Sequence, residues 1–309
     1  MTKKKAIVVD LTPNQSVSEM IELLFMANFE YMLTWRDQAR SWQQPLGVHQ
    51  FRVSFRRMRS LFTLFRTVIP RPLARDWTTA MRALASEAGE ARDLDVFLTE
   101  TVPAVEVRRE LPALSQLIAK GSLAREEAYQ RVVLMLDSSE FATFCERFPS
   151  WLRQRLWEQG GGKIQKKLKL PAGEYAQKLL IKQISKINAM GSDIDTHNAE
   201  AMHQLRIEFK KLRYALDSFQ PLFTNLSTFT QHSKGMQELL GNLNDIEVMN
   251  HLLHRLLEGE NDSELHYAAG VVSGWHEHKA YHTLTEFNQR WQEFVTAEHD
   301  WQLESHFES

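Results

Sequence analysis

Two stretches of this 309-residue sequence carry one histidine and three cations at helical spacing. His49, Arg52, Arg56 and Arg59 stand in the first; His203, Arg206, Lys210 and Arg213 repeat them 154 residues later. Projected at about 100° per residue from His49, the cations fall near 280° (Arg59), 300° (Arg52) and 340° (Arg56), so that with His49 they lie inside an arc of about 80°. Phe51, Phe55, Met58, Leu61, Phe62 and Phe65 occupy a separate arc from about 120° to 240°. Leu205, Phe209, Leu212, Leu216 and Phe219 form the matching apolar face of the second stretch. Each stripe is about 15 Å long at ~1.5 Å rise per residue. Like charges at i, i+3 and i+4 repel and weaken an isolated helix. A sequence that keeps that cost twice points to an anionic partner. Arginine offers forked donors to phosphate or carboxylate oxygens and lysine a point charge. Histidine adds a donor and a charge below about pH 6.5, or orients its neighbours. The plain alternative is pairing within the fold, for which Asp93, Asp95, Asp245 and Glu247 are candidates, since exposed charged faces are usually only solvated.

The stripes belong to a longer repeat. Residues 48–65 (VHQFRVSFRRMRSLFTLF) match 202–219 (MHQLRIEFKKLRYALDSF), and 84–97 (LASEAGEARDLDVF) match 236–249 (MQELLGNLNDIEVM) at an offset of 152. Gly89 then meets Gly241, Asp93 meets Asp245, and Arg82 upstream meets Lys234. Two blocks in the same order mean a duplicated unit of about 150 residues. Asn244 stands where the first copy has Arg92, so the halves are expected to contribute unequally.

Composition bounds the rest. Apolar residues make up 43% and charged residues 25%, as in a folded, soluble chain. The single Cys145 excludes an internal disulfide framework and suits a reducing compartment. The apolar run behind Lys3–Lys5 is too short for a signal peptide, and no run approaches the ~18 residues of a membrane span. A cytoplasmic protein is expected. Net charge is −2, which disfavours a polyanion partner only until it is divided along the chain. Residues 36–82 hold ten Arg against Asp37 and Asp76, and 163–186 hold seven Lys against Glu174. From 246 to 309 the net charge is −9, leaving +7 on the remainder.

The elements that must position these residues are helices. Ser16 and Glu19 form a capping box for a helix to about Arg40. A second helix from about His49 ends before Pro70, and a third runs from Pro72 to about Thr101. Shorter pieces follow between Pro112 and Trp157. The second half predicts helices at 174–190, 199–219, 226–258 and 264–307. Gly160–Gly162 with Pro171 reads as a linker. The one strand-like run is Ala6–Leu11. These signals divide the chain into an N-terminal segment (1–15), a first repeat (16–158), a linker (159–173) and a second repeat with the acidic C-terminal region (174–309).

Both copies resemble the CHAD domain, the conserved-histidine α-helical domain. The resemblance rests on HQFRVSFRRMR (49–59) and HQLRIEFKKLRY (203–214), followed by GEARDLDV (89–96) and GNLNDIEV (241–248). It implies an all-α fold of two pseudo-symmetric four-helix-bundle-like repeats, with basic helices around a groove or central cavity. It further implies binding of inorganic polyphosphate, on polyphosphate granules, by His49, Arg52, Arg56, Arg57, Arg59 and Arg82. In the second half the corresponding residues are His203, Arg206, Lys210, Lys211, Arg213 and Lys234. Arg57 and Lys211 project near 80°, off the stripe. The Glu-x-Glu-x-Lys motif of the triphosphate-tunnel domain joined to some relatives does not occur near the N-terminus, so a stand-alone CHAD protein without catalytic residues or cofactor is expected. Two other readings use the same surface: a metal-dependent polyphosphate or triphosphate phosphohydrolase using Asp93, Asp245 and histidine, or a nucleic-acid or acidic-protein binder. His278 and His282 have the i, i+4 spacing of a metal pair, with His276 close by, but lack a third ligand; no metal site is expected.

Overall fold

The capping box forms as the sequence predicts. Ser16 Oγ accepts from the Glu19 amide at 3.2 Å and Glu19 Oε2 accepts from the Ser16 amide at 2.9 Å. The computed structural model describes residues 7, 9–105, 111–297 and 302–303. From the box runs α1 (Val17–Ala39), followed by α2 (Pro45–Leu64), α3 (Arg71–Glu87) and α4 (Gly89–Val96). A π-turn at 97–101 follows, then α5 (Pro112–Leu136), α6 (Ser139–Gln154) and the short α7 (Gly162–Leu168). The second half comprises α8 (Ala172–Gly191), α9 (Ala199–Phe219), α10 (Leu226–Leu256), α11 (Ser263–Thr285) and α12 (Phe287–Thr296). Extended pairing among the described residues is limited to Phe223–Thr224 against Gln302–Leu303 and a bridge between Ser16 and Pro171.

Several local expectations are corrected. Ile7, Val9, Asp10 and Leu11 form no strand, while Ala6 and Val8 lie outside the described residues. The third helix breaks at Ala88, where α4 starts afresh. The pieces after Pro112 are long helices of 25 and 16 residues. The glycine-rich stretch is partly helical, because Ile164 and Leu168 in α7 face the core. The last helix divides at Glu286, and residues 298–301 and 304–307 of its predicted span lie outside the described residues.

The repeat is visible in the packing. Contacts of α1 with α2, α2 with α3 and α4 with α5 recur as α8 with α9, α9 with α10 and α10 with α11. Between halves, equivalent helices meet each other: α2 packs on α9, α4 on α10 and α5 on α11. Like-on-like contact is the mark of a two-fold relation, here within one chain. One continuous apolar cluster runs through both halves. Its largest members are aromatic: Phe25 lies 4.6 Å from Phe62, and Phe209 lies 4.8 Å from Phe294, centroid to centroid. Gly47 lets α2 cross α1 closely, since a Cβ there would lie 2.3 Å from the Gln38 carbonyl oxygen. This crossing fixes the rotation of α2, and so the direction of its cationic stripe.

Candidate functional site

The apolar faces of α2 and α9 turn their charged faces toward one another. On α2, Phe51, Phe55, Met58 and Leu61 are buried; on α9, Leu205, Phe209, Leu212 and Leu216 are. Asn198 caps α9, its side chain accepting from the Ala201 amide at 3.0 Å. Where the helices cross, Lys210 is largely withdrawn from water among cations. Burial pushes its amine down to about 8, and the charges of Arg56, Arg206, Arg59 and Arg213 push the same way. Two of these come from each copy of the repeat. Burial likewise lowers Arg59, helped by Arg82.

Carboxylates reach the flanks of this cluster. Burial lowers Arg52 against the opposing pull of Asp93, and lowers Arg206 against Asp245 and Glu247. Even so, Arg52 Nη1 and Arg206 Nε are buried without a hydrogen-bond partner. A buried donor left unmade costs about 1–3 kcal/mol, so these are sites where an oxygen-rich ligand gains most. The two residues occupy equivalent positions in the two stripes. Gly89 makes the Arg52 position available, since a Cβ there would stand 2.8 Å from Nη1. Gly241 plays no such part, having open space where a Cβ would lie. Gly89→Ala is therefore expected to displace the Arg52 guanidinium. Affinity for an anion docked at Arg52 should fall several-fold with little change in melting temperature, whereas Gly241→Ala should leave affinity unchanged and stabilise α10 by about 1 kcal/mol.

Not every sequence-predicted cation joins the cluster. Arg57 points to Asp217 of α9 at 3.7 Å, and Arg213 reaches the same carboxylate at 3.8 Å. Lys211 and Lys186 hold Glu208 at 2.6 and 2.9 Å. Burial raises Glu208, yet hydrogen bonds from Lys186, Lys211 and Gln183 bring it down to about 2. Arg57 and Lys211 thus serve internal ion pairs, as their 80° projection suggests. Arg82 is exposed beside Arg59; Lys234 is exposed and lies 3.6 Å from Glu238; His203 is exposed. The Asn244 side chain lies outside the described residues.

Beside the crossing opens a cleft of about 670 Å³ between α2, α4, α10 and α11. His49, Arg52 and Arg56 line one wall, Asp93 and Asp245 others, and Lys279 the α11 side. Burial raises the Asp93 carboxyl, opposed by Arg52, Arg255 and Arg92. Cations and acids nearly balance in the cleft, so its electrostatics differ from those of the crossing, where cations dominate. Arg52 and Arg56 belong to both. Arg92, His276 and Lys279 also line the cleft. Arg92 was legible as a motif position; Lys279 belongs to no motif and lies in the acidic 246–309 region. Asp95 is turned away from the stripe and fully buried, receiving Arg125 Nε at 2.6 Å and the Tyr129 hydroxyl at 2.7 Å. His278 and His282 lie 4.5 Å apart by ring centroids, and His276 Nε2 lies 2.9 Å from the Thr101 carbonyl oxygen. Among the described residues no three His, Cys, Asp or Glu side chains are placed to hold a metal ion.

Fold and site together define an all-α, internally duplicated helical domain with a cationic seam between its copies. The profile of the CHAD domain matches residues 24–254, and the chain belongs to that family. It is similar to the crystal structure of the CHAD domain from the plant Ricinus communis (TM-score 0.82, 21% identity, 98% of this chain and 100% of that one). PptA from Streptomyces chartreusis shares the fold more distantly (TM-score 0.64, 13% identity, 90% of this chain and 100% of that one). Two uncharacterized proteins of Mycobacterium tuberculosis, MT2285 and Rv2226, are 24% identical over 272 residues, 84% of this chain. The chain spans 48% of the length of each. No helix among the described residues is long and apolar enough to cross a membrane.

Proposed function

We propose that the chain binds inorganic polyphosphate along the α2–α9 seam, as a binding module and not as a phosphohydrolase. The observation that carries this reading is the packing of α2 on α9, which brings the cationic stripes of both copies to one crossing, where the charges of Arg56, Arg59, Arg206 and Arg213 act on Lys210. Such a cluster is costly without an anion, and a chain with one negative charge per phosphate relieves it without needing aromatic stacking surfaces. The buried donors of Arg52 and Arg206, equivalent residues of the two stripes, add to the same surface. Membership of the CHAD family supports the same ligand, and association with polyphosphate granules follows from it.

Salt dependence tests the reading. By analogy with single-stranded nucleic acid, log affinity falls by about 0.7 per phosphate neutralised for each unit of log salt. Six stripe cations (Arg52, Arg56, Arg59, Arg206, Lys210 and Arg213) predict a slope near −4 in titrations with long-chain polyphosphate. A slope near zero, or release of phosphate during the titration with Mg²⁺ or Mn²⁺ present, would contradict the proposal.

Affinity should also depend on pH through Lys210. With its amine at about 8, the group is mostly neutral above that pH. A bound polyanion favours the ammonium, so binding takes up a proton there. Below about pH 8 this group contributes a constant affinity; above it, affinity should fall by up to about tenfold per pH unit. Lys210→Arg, charged throughout, should remove the decline, which fluorescence anisotropy between about pH 7 and 9.5 would detect.

A further inference from the structure

The cleft beside the crossing has a chemistry of its own. At about 670 Å³ it falls within the size range of small-molecule sites. Its two sides are unequal: Arg52 and Arg56 of α2 line it, whereas their repeat equivalents Arg206 and Lys210 do not. Lys279 and His276 come from α11. Between them stand repeat equivalents on α4 and α10, helices that pack together: Asp93 with Asp245, and Val96 with Val248. Val248 is 38% exposed and Val96 and Ile246 are half-buried, so the apolar wall is open to a ligand. His276 Nε2 donates to the Thr101 carbonyl oxygen at 2.9 Å and ties α11 to the π-turn. The α11 side is therefore already fixed in place.

Charge limits what fits. Arg52, Arg56, Arg92 and Lys279 stand against Asp93, Glu100 and Asp245, a net of +1 with the histidines neutral. Arg92 is already paired with Glu100 at 3.3 Å. A bare phosphate chain meets repulsion from Asp93 and Asp245 and leaves the valines unused. A fatty acid has nothing to donate to the two carboxylates. The ligand that uses every wall carries one phosphate group, hydroxyl or amino donors, and a flat apolar body. A phosphate monoester brings about −1.5 to −2 charges at pH 7, close to what the cleft can neutralise.

We infer that this cleft binds a ribonucleoside monophosphate. Arg52 and Arg56 take the phosphate; the Arg52 Nη1 donor is buried without a hydrogen-bond partner, and a guanidinium fork matches phosphate oxygens. The ribose hydroxyls donate to Asp93 or Asp245, as they do to the carboxylate of a dinucleotide fold. The base lies against Val96, Ile246 and Val248, apolar side chains of the kind that hold a base by its flat face. The inference stands on the cleft alone, and polyphosphate binding in the seam is a separate claim.

Calorimetric titration of the full chain with adenosine monophosphate, at about 0.15 M salt with EDTA present, tests it. One nucleotide per chain is expected. Ribose 5-phosphate, which lacks only the base, should bind about tenfold more weakly. Adenosine, which lacks only the phosphate, should lose about as much, and 2′-deoxyadenosine monophosphate several-fold. Val248→Glu sets a carboxylate on the apolar wall and should weaken the nucleotide about tenfold. Val295→Glu, equally exposed but on α12 outside the cleft, should leave it within about twofold. No saturable binding up to about 1 mM nucleotide would overturn the inference. Equal affinity for ribose 5-phosphate, or equal effects of the two valine substitutions, would overturn it as well. Polyphosphate titrated into the same sample reads the seam separately, so either claim can fail without the other.

Discussion

Reversing Arg56 and Lys210 together (Arg56→Glu, Lys210→Glu) is expected to weaken polyphosphate binding by about 100-fold or more, taking a charge-assisted hydrogen bond as about 1.5–3 kcal/mol. The same substitutions should raise the melting temperature of the free protein. In the native seam the half-buried Lys210 feels the like charges of four arginines. A glutamate there meets Arg206, Arg59 and Arg213 as partners and replaces repulsion with attraction. Loss of binding with gain of stability is the signature of a site that stores unfavourable charge for its ligand. Arg71→Glu with Arg75→Glu changes net charge equally at an exposed turn of α3, away from the seam, and should lower affinity only slightly. Equal losses from both pairs in a binding titration would mean that overall charge, not the seam, holds the ligand. A fall in melting temperature for the seam pair would remove the account of Lys210.

Asp95→Ala should produce the largest loss of stability. Asp95 has no exposed side-chain surface, and Arg125 retains only 14%. Burial raises the Asp95 carboxyl even though Tyr129 and Arg125 hydrogen bonds lower it, so the carboxylate is held at some cost. Deleting it strands the Arg125 guanidinium and the Tyr129 hydroxyl. Breaking one side of a buried ion pair costs about 3–5 kcal/mol, or about 5–8 °C in melting temperature for a chain of this size. Arg125 also lies over the Trp42 and Tyr129 rings at 5.6 and 5.5 Å. Removing its anchor therefore loosens α5 from the turn before α2 as well. Polyphosphate affinity per folded molecule should stay within about twofold, because Asp95 faces away from the stripe. A loss below about 1 kcal/mol in urea titrations would show that the pair is not structural.

Periodic and repeated features of this molecule were legible in its sequence. The Ser16–Glu19 box marks the start of α1, and α9 occupies 199–219 as the apolar spacing predicts. The two stripes, found by projection alone, meet because their helices are equivalents across a two-fold relation. Features set by distant partners were not legible. Nothing local distinguishes Ala88 as a helix break; Arg52, brought from α2, packs against Gly89 there. The equivalent point in α10 lies beside no such side chain, and that helix runs on through Gly241. Asp95 reads as a partner for the stripe, yet its partner comes from α5, thirty residues on. The spacing of Arg57 and Lys211 placed them off the stripe, but only the fold shows Asp217 and Glu208 receiving them.

The central claim is that the seam recognises a bare phosphate chain through cations from both copies. Titration of the full chain with long-chain polyphosphate at about 0.15 M salt, with single-stranded RNA at equal phosphate concentration as competitor, tests it most directly. Binding at micromolar concentration or below, undiminished by RNA, is the predicted result. Displacement of polyphosphate by RNA at equal charge, or no binding at that salt, would contradict it.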